Sequence, residues 1–253
     1  LKDSEPRAIL VEPGFCAHID SIREELDERS PGKIAYVRHG GTVPGWQDYG
    51  ALLDAAQGRE RYASEAGPES PNLLVYTSGT TGRPKGAVLS QGALFWNAVN
   101  AIHAHDMTGD DVVLTFLPLF HVGGLNVQTL PAFHAGATVV LQRRFEPAAL
   151  LAAITAEKPT LTVFVPAVIQ ALAAHPDWAR TDLSSLRLIC AGSAIIPTPL
   201  IELLHARGVP VTQLYGSTET APVAIYLKRP DAERKIGSTG KPALHCDCRI
   251  VDA

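Results

Sequence analysis

A chain of 253 residues suggests one or two domains and is long enough to bury a sizeable core. With 46% hydrophobic and 19% charged residues it reads as globular and soluble, and a formal charge of −4 gives no electrostatic case for nucleic acid or an anionic membrane. No apolar run approaches a membrane span, no basic-then-apolar leader opens the chain, and four cysteines do not make a disulfide scaffold, so a reducing cytoplasm is the expected location.

Ala8-Ile-Leu-Val11 reads as a short strand, and Phe15, Ile19, Ile22 and Leu26 then recur at helical spacing. Lys33 to Val37 reads as a second strand, and Trp46 to Ala56 as a helix with Trp46, Tyr49, Leu52 and Leu53 on one side. Gln57 to Pro71, polar and rich in Gly and Pro, reads as a linker, so residues 1–71 form a partial sheet-and-helix layer and 72–253 a second region.

The apolar run Asn72 to Val75 leads into Tyr76-Thr-Ser-Gly-Thr-Thr-Gly-Arg-Pro-Lys-Gly86. Glycines 79, 82 and 86 let the backbone turn so that successive amides converge on an anion. Thr77, Ser78, Thr80 and Thr81 add hydroxyl donors, and Lys85 adds a point charge on a flexible stem. A generic Gly/Ser/Thr cluster is just a loop, but a strand, this density of donors and a lysine together point to polyphosphate. The pattern is not Gly-x-x-x-x-Gly-Lys-Ser/Thr, because Lys85 follows Pro84 and precedes Gly86, which disfavours an ordinary P-loop NTPase.

Ser90 is the expected N-cap of a helix running to about His105. Strands at 112–117, 138–141, 161–165, 186–191 and 209–214 then alternate with helices at 123–134, 147–157, 166–175 and 199–207, the second opening at Pro147. Apolar strands spaced by helices imply a parallel sheet covered on both faces, with ligands beyond the carboxyl ends of the strands. Cys16 and Cys190 sit in apolar contexts typical of buried thiols. Cys246 and Cys248 are placed by period two on one face of a strand and read as structural, with no second ligand pair for zinc.

YTSGTTGRPKG resembles the phosphate loop of the adenylate-forming superfamily, which holds acyl- and aryl-CoA synthetases, firefly luciferase and peptide-synthetase adenylation domains. The resemblance runs from about Asn72 to Gly240, and what precedes it is similar only loosely. It implies an α/β fold, the layered parallel-sheet N-terminal domain of such an enzyme. No match to the family's ribose-binding aspartate, hinge or C-terminal lid lysine is found, so the chain reads as truncated at both ends and as nearly inactive alone.

Three further motifs follow expected strands. In Leu117-Pro-Leu-Phe-His121-Val-Gly-Gly124, the resemblance puts His121 beside the acyl pocket and thiol tunnel. Amino-acid-activating relatives place an aspartate there, and a histidine would leave a substrate ammonium unpartnered, which argues against amino acids. Gly123 and Gly124 leave room for a bulky acyl or aryl group, or else serve close helix packing. Ala191-Gly-Ser-Ala194 resembles the loop whose backbone faces adenine, which gives Gly192, Ser193 and Ala194 as candidates, with a plain strand-to-helix turn nearly as good a reading. In Gln213-Leu-Tyr-Gly-Ser-Thr-Glu219, Tyr215 offers an aromatic face for adenine, Gly216 and Ser217 complete the nucleotide loop, Thr218 offers a hydroxyl for the α-phosphate, and Glu219 offers a hard oxygen for Mg²⁺. The plainer reading of Glu219 is a helix-start carboxylate facing the dipole. Gly237-Ser-Thr-Gly-Lys-Pro242 is expected to be structural.

The resemblance implies an ATP- and Mg²⁺-dependent ligase that activates a hydrophobic carboxylic acid, fatty or similar, as acyl-AMP and passes the acyl group to CoA. An aryl-CoA ligase, a carrier-protein-loading ligase and a non-catalytic nucleotide-binding module are the alternatives.

Overall fold

The computed structural model describes the chain apart from residues 2, 31, 61–64, 80, 81 and 253. The chain divides into two units, Leu1–Glu65 and Ala66–Ala253.

In the first unit, β1 (Ala8–Val11), β2 (Ala35–Arg38) and β3 (Gln47–Asp48) form a parallel sheet in that order. The helical spacing from Phe15 to Leu26 is realised as two helices, α1 (Cys16–Asp20) and α2 (Arg23–Arg29), which send Ile19 and Leu26 into a small core with Ile9, Tyr36 and Trp46. The expected helix from Trp46 is corrected. Trp46 packs edge-on against Tyr36, with ring centroids 5.8 Å apart, and its indole N–H donates to Asp20 at 3.1 Å. Tethered there, it cannot share a face with the following turn; α3 (Tyr49–Ala56) starts at the cap Asp48, whose carboxylate accepts the Gly50 N–H at 2.9 Å, and Leu52 and Leu53 stand exposed.

The second unit opens with an antiparallel hairpin, β4 (Pro71–Thr77) and β5 (Lys85–Ser90), whose connecting loop is the candidate phosphate loop. Helix α4 (Gln91–His105) begins where expected, its Ser90 Oγ accepting the Ala93 N–H at 3.2 Å. A seven-stranded sheet follows, formed by β6 (Val112–Thr115), β7 (Thr138–Leu141), β8 (Leu161–Phe164), β9 (Leu188–Ala191), β10 (Val211–Tyr215), β11 (Ile225–Tyr226) and β12 (Lys241–Pro242). Its order is β12-β11-β10-β9-β8-β6-β7; β7 to β10 are parallel neighbours through β6, and β11 and β12 are antiparallel at one edge.

Both faces of this sheet are covered, as the apolar strands require. Leu114, Phe164 and Ile189 pack under α7 (Pro147–Glu157), α8 (Pro166–Ala173) and α9 (Thr198–His205) through residues such as Leu150, Ile169 and Ile201. Their strand neighbours Val113, Val163 and Leu188 face the other way, toward α4 and α6 (Leu130–Ala135). The connection from β6 to β7 therefore runs over one face and that from β8 to β9 over the other, which makes the crevice between adjacent β6 and β8 a topological switch point.

The continuous helix expected over 123–134 is instead α5 (Val122–Gly124), a π-helical turn at Leu125–Thr129, and α6. Pro131 cannot donate to the carbonyl of Val127, so the regular ladder cannot pass through this point. The expected strand face for Cys246 and Cys248 is also corrected. Both lie beyond β12 outside any strand, Cys246 meeting the Asn100 side-chain amide at 3.5 Å and Cys248 exposed. Gly240 has φ +91°, and a Cβ on it would stand 2.0 Å from the Tyr226 carbonyl oxygen, so the turn before β12 needs glycine. Among the described residues, no helix is long and apolar enough to cross a membrane.

Candidate active site

Loops from four places meet in a cleft of about 590 Å³ within the second unit. The hairpin contributes Thr77, Ser78, Gly79 and Lys85, and the loop after β10 contributes Gly216, Ser217, Thr218 and Glu219. His121 and Gly123 arrive from beyond β6, and Ser193 from beyond β9. The three sheet-derived groups all leave the carboxyl ends of parallel strands, where the chain must turn and backbone amides become available to a ligand.

Thr77 and Lys85 are partners in the hairpin register, so the loop between them is closed at its neck. Gly79 has φ +64° and would place a Cβ 2.4 Å from the Arg83 carbonyl oxygen, so only glycine lets the loop fold back on itself. Gly82 also has positive φ, +77°, but faces open space and does not line the cleft. Thr80 and Thr81 lie outside the described residues. Lys85 pairs with no carboxylate among the described residues, which leaves its charge for an anion.

His121 caps α5, its Nδ1 accepting the Gly123 N–H at 2.9 Å. With Nδ1 as acceptor, the neutral ring carries its proton on Nε2. A Cβ on Gly123 would stand 2.9 Å from that Nδ1 and 3.0 Å from Ser193 Oγ, so the missing side chain keeps His121 and Ser193 close across it. A Cβ on Gly124 would meet the Pro118 carbonyl oxygen at 2.3 Å, a close backbone packing, and Gly124 does not line the cleft. Ser193 is held at φ +64°, an uncommon conformation for a residue with a side chain. Gly192 and Ala194 flank it without lining the cleft, and Tyr215 is 60% exposed at the end of β10, also outside the lining.

Thr218–Thr220 forms a single 3-10 turn, stabilised by the Ser217 N–H donating to Thr220 Oγ1 at 2.9 Å. A Cβ on Gly216 would lie 1.5 Å from the Pro222 carbonyl oxygen, so the loop after β10 can close this tightly only on glycine. The Glu219 backbone N–H and the Ser217 hydroxyl hydrogen-bond its exposed carboxylate and hold its pKa below the usual value, so it is anionic at neutral pH. No group of three or more metal-ligating side chains exists among the described residues. The donor set suits a hard cation that takes one carboxylate and completes its shell with phosphate oxygens and water.

Sequence reasoning missed the supports beneath this site. Asn97 of α4 donates to the Asn126 carbonyl at 2.8 Å and accepts the Val223 N–H at 3.0 Å, while the Asn126 amide donates to the Ala221 carbonyl at 3.1 Å. These two buried asparagines tie α4, the π-helical turn and the loop after β10 together. Their signal was available as amides inside apolar helical runs, where a buried polar group must find a partner. Val127, Leu214 and Pro222 also line the cleft, and nothing in the local pattern distinguishes them from ordinary core.

The chain is 51% identical over 251 residues to the indoleacetate–CoA ligase of Aromatoleum aromaticum (strain DSM 19018 / LMG 30748 / EbN1), covering 99% of this chain and 48% of that protein. The N-terminal domain of FACL13 from Mycobacterium tuberculosis, solved with an inhibitor bound, superposes with TM-score 0.82 at 27% identity over 96% of this chain and 59% of that one. The anthranilate CoA ligase AuaEII, solved with anthranoyl-AMP, superposes with TM-score 0.85 at 25% identity, again over 96% of this chain and over 46% of that one. The chain thus spans about half the length of the relatives it matches. The model of the AMP-binding enzymes matches residues 1–253 in full, and the chain belongs to that family.

Proposed function

We propose that this cleft serves an ATP-dependent ligase that activates an aromatic or arylacetic acid as its acyl adenylate and passes the acyl group to the thiol of CoA. The single observation that carries the reading is the meeting of the glycine- and hydroxyl-rich hairpin loop and Lys85 with Gly216–Glu219 and His121 in one cleft. The relationship to an indoleacetate ligase, and the fold shared with an enzyme solved with anthranoyl-AMP, support an aromatic acid over the fatty acid expected from the motifs alone.

A carboxylate resists nucleophiles because its carbonyl is electron-rich and its leaving group would be oxide. In the proposed reaction a carboxylate oxygen attacks the α-phosphorus and the bond to pyrophosphate breaks; the thiol sulfur then attacks the acyl carbon, AMP leaves, and the thiol proton passes to solvent. Negative charge gathers on the phosphates in the first step, so the protein's work is positioning and electrostatic stabilisation. The amides and hydroxyls of Thr77, Ser78 and Gly79, with the Lys85 ammonium, are assigned to the β- and γ-phosphates, and Thr218 to the α-phosphate. Glu219 would hold Mg²⁺, which supplies charge neutralisation of the phosphate oxygens. His121 and Gly123 border the acid, and a histidine offers no carboxylate to an amino-acid ammonium.

A pyrophosphate-exchange screen of the full-length protein across aliphatic and aromatic acids tests the reading. Aromatic and arylacetic acids are expected to drive exchange well above aliphatic acids of similar size. Binding of Mg-ATP with no exchange on any acid would identify a nucleotide-binding module instead.

A further inference from the structure

Behind Gly123 lies a second, far smaller cavity of about 10 Å³, between β6 and β8 at the switch point of the sheet. Thr115 and Val163 line it from the strands, Leu117 from just beyond β6, Gln128 lines it from the π-helical turn, and Gly123 lines both this cavity and the main cleft. Gln128 is 2% exposed, and neither its Oε1 nor its Nε2 has a hydrogen-bond partner among the described residues.

An amide left unpaired in a protein interior costs about 1–3 kcal/mol, so such a group calls for an explanation. The neighbouring hydroxyls do not supply one. Thr115 and Thr129 bond each other at 2.9 Å, and Thr129 reaches the Gly124 carbonyl at 2.7 Å, closing a network that leaves Gln128 out. π-Helix occurs mostly as single turns inside α-helices, frequently at functional sites, and this one carries Gln128 to the cavity while Val127 lines the cleft. The cavity has room for about one polar heavy atom. A charged group there would have no counter-ion, whereas a neutral N–H or O–H would pair with the amide oxygen.

We propose that Gln128 is a specificity-determining residue that reads one hydrogen-bond donor on the ring of the acid, with only the donor atom reaching this cavity past Gly123. The inference rests on the reading of the cleft as the site of aromatic-acid activation. It narrows the substrate class to aromatic acids carrying an N–H or O–H on the ring.

The test compares pyrophosphate exchange by the full-length protein on indole-3-acetate and on 1-benzothiophene-3-acetate, in which sulfur replaces the N–H at nearly the same shape. The wild type is expected to favour the indole by about tenfold or more in kcat/KM, because a site built around a hydrogen bond rejects the analogue lacking it. Gln128→Leu should bring the ratio to within about twofold, with the melting temperature held or raised as an apolar group replaces an unpaired amide. Gln128→Met serves as a second variant should leucine not pack, and the wild-type comparison needs no variant. Equal use of the two acids by the wild type, or an unchanged ratio in the folded variants, overturns the inference and leaves aromatic-acid activation standing. Exchange on hexanoate with neither aromatic acid overturns the aromatic reading itself, and this inference with it.

Discussion

The Nδ1 atom of His121 accepts the Gly123 N–H at 2.9 Å, so one imidazole both caps α5 and lines the cleft. The two roles separate on substitution. His121→Ala should lose about 1 kcal/mol of stability with the cap, whereas His121→Asn, which keeps a short acceptor suited to the position, should recover most of it. Acid-dependent exchange should fall in both variants. Thermal unfolding set beside exchange kinetics checks the separation, and full activity in His121→Asn would reduce His121 to a cap.

Gly79 and Gly82 share positive φ, +64° and +77°, but differ in their surroundings. Alanine at Gly82 meets only the backbone penalty of about 1–2 kcal/mol, while alanine at Gly79 also strikes the Arg83 carbonyl oxygen at 2.4 Å. Calorimetry with Mg-ATP should therefore find Gly79→Ala weaker than Gly82→Ala by about tenfold, the equivalent of about 1.4 kcal/mol of added strain. Equal affinities would mean that the loop does not hold this shape around the nucleotide.

Lys85 and Glu219 stand in the same cleft from different segments of the chain. Removing a group aimed at developing transition-state charge costs about 3 kcal/mol, roughly a hundredfold in rate. Lys85→Ala and Glu219→Gln should each lower the exchange rate of the full-length protein by about that factor, with the Mg²⁺ requirement rising in the second. Unchanged exchange in both variants contradicts the assigned roles.

His105 and Asp111 set the expected acid sensitivity of the second unit. Burial pushes the His105 imidazole down to about 4, although its Nδ1–H donates to the Ala101 carbonyl at 2.7 Å. Between 6.5 and about 4 the unfolded chain binds a proton that the native state refuses, so stability is complete above this window and falls by about 3 kcal/mol as pH drops through it. Asp111 acts lower. Burial raises its pKa, but hydrogen bonds from Arg187, Thr160 and the Thr108 N–H outweigh that and hold it below the usual carboxylate value. Its contribution is present above the unfolded value of 3.8 and lost as pH falls through the native one. Denaturant titrations across pH should show His105→Gln flattening the upper window and sparing the lower loss. Asp111→Ala should cost about 1–3 kcal/mol at neutral pH, because Arg187, a quarter exposed, keeps its hydrogen bonds to the His105 and Asp106 carbonyls.

Much of this protein is written in short-range terms. Ser90 and Pro147 mark the starts of α4 and α7, the apolar strand runs announce a sheet buried on both faces, and the residue types around Thr77, Gly79, Lys85 and Glu219 single out segments that line one cleft. These features depend on backbone preference and side-chain period over a few residues, which is information a linear chain carries. What only the tertiary structure decided depends on groups far apart. Trp46 left its helical pattern because Tyr36 and Asp20 held its ring, β6 settled between β7 and β8, and Asn97 found the Val223 N–H 126 positions away. Gln128 belongs with these: its amide is unusual only because, once buried, it finds no partner among the described residues, and burial is a property of the packed fold rather than of any stretch of sequence.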